Sequence, residues 1–310
     1  MNSQKPPVLV HVGYIKTGTT YLQKRILSQP GSDLALAAGE MTRAQTVQNI
    51  LLADDYSFDP NEIQKQMEAI SSPVRSLGKI PVWSEESLLG DPPTRRYDGF
   101  SNARKLHAVF PDALILITIR RQQSIALSMY REYVLGEGKL PITSFIGTGD
   151  EALSFTPILR PEFLCYDRAI HHYKMLFGPD RVLVLPQEML AQDPAGYVKT
   201  LADFTGCKVP SVSSSGREHV GEKLPALALR RFSNRLVAHD SMKPGRHGLS
   251  KVSDRIVRLV NRLTPKNLDA SFKRRYEHIV EQRYDGFFRT SNQQTEKLTG
   301  LDLERYGYDT

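Results

Sequence analysis

The stretch Gly13-Tyr14-Ile15-Lys16-Thr17-Gly18-Thr19-Thr20 sets two glycines, a lysine and three threonines between a short apolar run, Val8 to Val12, and a helix-period segment, Tyr21 to Ser28. A strand that feeds a glycine-containing loop and then a helix is an anion site. The loop and first-turn N–H groups point at one spot, and the helix dipole adds partial positive charge there. A phosphate is the anion this predicts. In a Walker A loop the lysine directly follows the second glycine, but here Thr19 fills that slot. Lys16 therefore approaches the anion from the loop side. The competing reading is a glycine-threonine turn that binds nothing.

Three further groups of polar residues stand where strands should end. Ala113 to Ile119 is the most strongly apolar run and reads as a central strand buried on both faces. It ends at Arg120 and Arg121, and Gln122 to Val134 turns helical. Ile80 to Ser84 is strand-like and ends at Glu85 and Glu86, and Asp33 to Glu40 reads as a second short strand ending at Glu40. In open parallel sheets ligands bind along the carboxyl edge of the strands. Lys16, the Glu85/Glu86 pair and Arg120 are thus expected to converge, although over a hundred residues separate the first from the last.

On these residues the chain resembles a known family. The Gly13-x-x-Lys16-Thr17-Gly18-Thr19-Thr20 pattern is similar to the 5'-phosphosulfate loop of sulfotransferases that use 3'-phosphoadenosine 5'-phosphosulfate. Ile119 to Tyr130 resembles their 3'-phosphate element, an arginine at a strand end and a serine eight residues later in the next helix, where Arg120 and Ser128 stand. A guanidinium fork binds phosphate oxygens bidentately, and the hydroxyl adds a third donor; the competing reading of Arg120 is an ion pair at a strand end. Gln122 occupies a position where family members often carry proline. Val182 to Leu190 with Asp193-Pro194, and Phe287 to Tyr308, resemble structural elements of the family more weakly. The glycine-rich basic loop of cytosolic members has no clear counterpart, and Arg217 to Lys223 matches it poorly.

The resemblance implies a cofactor held by Gly13, Lys16, Thr17, Gly18, Thr19, Thr20, Arg120 and Ser128. It also implies an aromatic, Tyr21, against the adenine, with a core aromatic as the alternative, and it requires no metal. It implies sulfuryl transfer to a hydroxyl or amine acceptor, a small molecule, saccharide or glycolipid, with Lys16 neutralising the departing phosphate. Sulfotransferases use a glutamate or a histidine as base. Ser84 to Gly90 resembles a bacterial Ser-x-Glu element, which favours Glu86, with Glu85 second; adjacent strand side chains point to opposite faces, so only one of the pair can face the cofactor. Glu40 is the rival, since other branches place their base after the second strand.

The elements that must position these residues follow from pattern and length. With 310 residues, 40% hydrophobic and 24% charged, the chain suits an α/β architecture. The expected form is a central parallel sheet flanked by helices, P-loop-like, at 1–210, and a helical basic C-terminal extension at 211–310 packed on the same domain. Gly136 to Pro161 reads as a long loop, Pro210 to Gly216 as a linker, and Phe272 to Leu298 as one last helix. The N-terminus lacks a signal-peptide order and no run is long enough to span a membrane, so the cytoplasm is the default. Cys165 and Cys207 should be free thiols.

A net charge of +7 asks for an anionic partner. Two rivals fit that charge: a nucleoside-triphosphate kinase or ATPase, and a non-catalytic nucleic-acid-binding protein. The displaced lysine and the lack of a clear Walker B carboxylate oppose the first. The second lacks aromatic interleaving and any recognition motif, so no nucleic acid is expected. Basic residues crowd the C-terminal third. Within it, Ser250 to Leu263 sets Val252, Ile256, Leu259, Val260 and Leu263 on one helical stripe, with Lys251, Arg255, Arg258 and Arg262 beside it. The expected role is a helix packed on the core through that stripe. The alternative is contact with an anionic glycan or a negatively charged membrane surface.

Overall fold

Strand-forming runs that are apolar at every position need cover on both faces, and the sheet supplies it. The computed structural model describes residues 7–210, 221–236 and 249–310. Among them five strands, β1 (Leu9–His11), β2 (Leu34–Leu36), β3 (Ile80–Ser84), β4 (Leu114–Ile119) and β5 (Val182–Pro186), form one parallel sheet in the order β2-β3-β1-β4-β5. Side-chain alternation divides β4 between two cores. Ile115 and Ile117 join Val10, Val12 and Trp83 on one face, while Leu116 joins Leu9, Val82 and Leu185 on the other.

Helices follow the strands. They are α1 (Thr19–Leu22), widening into a π turn to Leu27, α2 (Thr42–Thr46), widening likewise to Leu51, α3 (Pro60–Ser76), α4 (Gly99–Val109), α5 (Gln122–Leu135), α6 (Ile142–Ile146), α7 (Tyr166–Phe177), α8 (Gln187–Gln192) and α9 (Pro194–Thr205). The start of α3 shows the local logic: Pro60 stands in its first turn, and the Asp59 carboxylate accepts from the N–H groups of Asn61 and Glu62. The chain leaves β1 toward β2 and leaves β4 toward β5. The loops after β1 and β4 therefore diverge and open a crevice at the carboxyl edge, as in other doubly wound sheets.

The C-terminal region contributes α10 (Leu224–Leu236), α11 (Leu249–Leu263), α12 (Lys266–Tyr284) and α13 (Arg289–Thr299). Helices α10 and α12 pack on α5, and α13 packs on α7, where Ser291 donates to Asp167. Three expectations need correction. The single helix expected over Phe272 to Leu298 is two, because Asp285-Gly286 breaks it, with Gly286 at φ 64°. The expected loop Gly136 to Pro161 holds α6, whose Phe145 and Ile146 are fully buried. The apolar stripe of α11 does not pack on the core: Val252, Ile256, Leu259 and Leu263 are 52%, 50%, 55% and 67% exposed, and only Val260 is half-shielded. The helix lies against α10, outside the sheet layers, and seats itself through polar groups and Val257.

Residues 211–216 of the expected linker and 217–220 of Arg217 to Lys223 lie outside the described residues.

Candidate active site

Backbone geometry shapes the loop after β1. Lys16 and Gly18 have φ of 67° and 91°, and positive φ at a lysine is uncommon. Left-handed residues between ordinary ones turn successive N–H groups into one concavity, the anion-binding form of a turn. The first N–H groups of α1, at Thr19 and Thr20, have no intrahelical acceptor and add to it. Two contacts hold the strained lysine peptide: an Arg120 Nη1 donates to the Lys16 carbonyl at 3.0 Å, and the Lys16 ammonium reaches Glu132 of α5 at 2.8 Å.

Beneath the loop lies a buried polar spine that sequence reading missed. His11 bonds Ser84 through Nδ1 at 2.8 Å and Thr118 through Nε2 at 3.0 Å. The Thr118 hydroxyl meets that of Thr17 at 2.7 Å, and the Thr17 hydroxyl donates to the Tyr14 carbonyl at 2.6 Å. Gln23 of the first helix donates to the Ser84 hydroxyl at 2.9 Å. The spine thus ties β1, β3 and β4 to the loop. Burial pushes the His11 pKa down to about 3, so the ring is neutral and offers one donor and one acceptor to the flanking hydroxyls. Its only sequence signals were a histidine inside VLVHV and a threonine inside ALILITI.

Of the three candidate carboxylates, the fold commits one elsewhere. Glu85 is 1% exposed, accepts from the Ser87 N–H and hydroxyl, and pairs with Arg43 Nε at 2.9 Å. Glu40 sits exposed in a short 3₁₀ turn, and among the described residues it makes no hydrogen bond or ion pair with the loop. Glu86 faces the loop. Its half-buried carboxyl lies against the Thr19 hydroxyl and feels Lys16, and burial raises its pKa above the ordinary carboxylate range. Apart from this approach to the carboxyl, the Thr19 hydroxyl is buried without a hydrogen bond of regular geometry.

Arg120 ends β4 half-buried, and among the described residues it pairs with no carboxylate; burial lowers its pKa, and a guanidinium stays charged regardless. The carboxylate whose charge it feels most is that of Glu188 in α8, which makes no ion pair with it. Its carbonyl accepts from Tyr166, whose ring packs at 4.7 Å on that of Tyr14 in the loop. Ser128 lies half-buried on one face of α5 between Ser124, which accepts from Arg121 at 3.3 Å, and Glu132, which holds Lys16. This spacing puts the serine on the helix face that carries Glu132. Tyr21 is half-buried against the apolar cluster of Leu22 and Ile26, while Thr17 is buried and Thr20 exposed.

Several supporting residues went unread in the sequence. Gln122 is buried and donates to Asn292 of α13 at 2.6 Å. Glu188 accepts from the Arg121 N–H at 3.0 Å and from the Tyr308 hydroxyl at 3.1 Å. The start of α5 is thus pinned by α8 and by the C-terminal segment. Nothing in spacing links residues 170 positions apart, so only the fold reveals these contacts.

The residues present fit a nucleotide carrying two separate phosphates: a concave loop with Lys16 at one strand end, the Arg120 guanidinium, held to the Lys16 carbonyl, at the next with Ser128 on the helix that follows, and the Thr19 hydroxyl between loop and carboxylate. A model of the sulfotransferase family matches residues 7–211, which contain all of these groups. No curated protein matches the chain. Among solved structures, the chain is similar to a sulfotransferase from Alicyclobacillus acidocaldarius at 19% identity, covering 97% of this chain and 98% of that one with a TM-score of 0.54. Sulfotransferase domains of the curacin biosynthetic pathway (13% identity, 66% and 75% covered, TM-score 0.35) and of the Synechococcus PCC 7002 olefin synthase (14%, 86% and 98%, 0.34) superpose too loosely to add to this. With the match spanning well over half of its 310 residues, on a parallel sheet that presents a P-loop-like turn at its carboxyl edge, the chain belongs to the sulfotransferase family.

Proposed function

We propose that this sulfotransferase moves the sulfuryl group of 3'-phosphoadenosine 5'-phosphosulfate to a hydroxyl or amine acceptor, with Glu86 as the general base. The observation that carries the base assignment is the division of labour at the end of β3: Glu85 is consumed by Arg43 and Ser87, while Glu86 faces the Lys16 loop with a raised pKa. A carboxylate destabilised by burial is a better proton acceptor near neutral pH than an exposed one such as Glu40.

When bound, the cofactor supplies a sulfuryl group on a phosphate leaving group. The concavity of Gly13 to Thr20 would hold the 5' end, and Arg120 with Ser128 the 3'-phosphate. The Lys16 ammonium would exchange Glu132 for that end and offset the charge growing on the leaving oxygen. Its present pair is half-exposed on both sides, and such pairs are worth about 0–1 kcal/mol, so the exchange costs little. Glu86 would take the acceptor proton. Positive charge thus comes from Lys16 and Arg120, and the reading asks for no metal. The acceptor fits a saccharide or lipid-linked glycan on the strength of the family resemblance, and a cytoplasmic setting suits the free thiols Cys165 and Cys207.

Calorimetric titration with 3',5'-diphosphoadenosine and with ATP, each with and without magnesium, tests the reading. Binding of the diphosphoadenosine at least tenfold tighter than ATP and indifferent to magnesium is expected. Tighter, magnesium-dependent ATP binding would replace it with phosphoryl transfer.

A further inference from the structure

Helix α11 exposes its apolar side. Helices α10 and α11 run antiparallel: Ser233 meets Ser253, Arg230 pairs with Asp254 at 2.9 Å, and the Lys223 N–H donates to Asn261 at 2.7 Å. Helical periodicity of 100° per residue sets the consequence. Measured from Ser253, Val252, Ile256, Leu259 and Leu263 all lie to one side, and measured from Ser233, so do Phe232 and Leu236. In an antiparallel pair those two sides coincide. One flank of the hairpin therefore presents six large apolar side chains, each half-exposed or more: Phe232 56%, Leu236 71%, and the four residues of α11.

The same periodicity puts Arg255, Arg258 and Arg262 along the outer border of this flank, and all three are exposed. Monomeric proteins rarely leave such a contiguous apolar surface uncovered. Apolar side chains bordered by arginines match the boundary between acyl chains and anionic headgroups, the former taking the leucines and isoleucine and the latter the guanidinium groups. A polyanionic glycan would engage the arginines but give the apolar residues no burial. No helix among the described residues is long and apolar enough to cross a membrane, so the contact would be a surface one.

We propose that the flank formed by α10 and α11 is a docking face for a bilayer containing anionic lipid. It uses no residue of the candidate active site and stands whether or not the sulfuryl-transfer reading holds. The test is sedimentation of the full chain with vesicles of phosphatidylcholine alone and of phosphatidylcholine mixed with phosphatidylglycerol, at low and high salt. Insertion is read separately from Leu259→Trp. The chain's single tryptophan, Trp83, has no exposed surface and gives a constant background.

Binding to the anionic vesicles alone is expected, with a blue shift of the Leu259→Trp emission and none for Leu77→Trp, an exposed control on another element. The double variant Ile256→Asp/Leu259→Asp should abolish binding. Each arginine contributes about fivefold near an anionic surface, so Arg255→Gln/Arg258→Gln/Arg262→Gln should weaken binding at least tenfold, most clearly at low salt. All these positions are exposed, and unchanged melting will show that the variants fold. Absence of binding at low salt would overturn the proposal. So would binding that survives the aspartates, which would make the contact purely electrostatic. A concentration-dependent dimer abolished by the aspartates, with no vesicle binding, would assign the flank to a second copy of the chain instead.

Discussion

Replacing Gly13 with alanine should damage the protein through the buried spine rather than through backbone conformation. A Cβ built there would sit 1.8 Å from the Thr118 hydroxyl and 2.7 Å from His11 Nε2. The backbone cannot retreat, because the flanking N–H groups of Val12 and Tyr14 donate to β4 carbonyls at 2.9 and 3.0 Å. Thr118 must therefore swing away, which breaks its bonds to Thr17 and His11. Two hydrogen bonds at about 1 kcal/mol each, plus about 1–3 kcal/mol for overpacking, give a loss of about 3–5 kcal/mol. That is a large share of the roughly 5–15 kcal/mol typical of a domain. Urea denaturation followed by circular dichroism measures it. Thr118→Ala removes the oxygen at 1.8 Å, so the double variant should be less unstable than the sum of the singles, by roughly 2 kcal/mol of coupling. A Gly13→Ala protein within about 0.5 kcal/mol of wild type, or strict additivity with Thr118→Ala, would refute the spine as the rigid support of the loop.

Other substitutions separate the remaining roles. Lys16→Ala should lower kcat by about 2.7–4 kcal/mol of transition-state stabilisation with a smaller effect on cofactor affinity; rate constants within a few-fold of wild type would remove it from the mechanism. Arg120→Ala and Ser128→Ala should weaken 3',5'-diphosphoadenosine far more than adenosine 5'-phosphosulfate in calorimetry, since the second ligand lacks the 3'-phosphate. Glu86→Gln should abolish turnover yet leave the protein as stable at neutral pH or more so, because a carboxyl whose folded pKa is raised loses stability as pH rises through that value. The stability difference should vanish in thermal melts below about pH 4.3, where the unfolded carboxyl is also protonated. The acid limb of wild-type kcat/KM should correspondingly lie above that ordinary value. His11 acts with the opposite sign: its folded pKa is depressed to about 3, so stability falls as pH drops below about 6.5, by up to about 1.4 kcal/mol per unit. Urea midpoints of His11→Gln should lack that limb.

What the sequence by itself determined was local. The Gly13 to Thr20 loop, the strand ends at Ser84 and Ile119, the sheet-forming runs and the helices after them are written in short-range pattern, since strand and helix periods and turn chemistry act within a few residues. The parallel α/β class and the convergence of Lys16, Glu85/Glu86 and Arg120 along one edge follow from strand-loop-helix alternation. Tertiary structure decided the rest. It parted Glu85 from Glu86 by giving the first an arginine and a serine and the second a half-buried position beside Thr19. It gave His11, Thr118 and Thr17 a shared purpose across more than a hundred residues, and brought Tyr308 and Asn292 to the start of α5. The apolar stripe of α11 shows the limit most sharply: its period is legible, yet which surface meets it is not. An amphipathic pattern records that a helix has an apolar side, while the partner of that side is set by where the rest of the chain leaves uncovered surface.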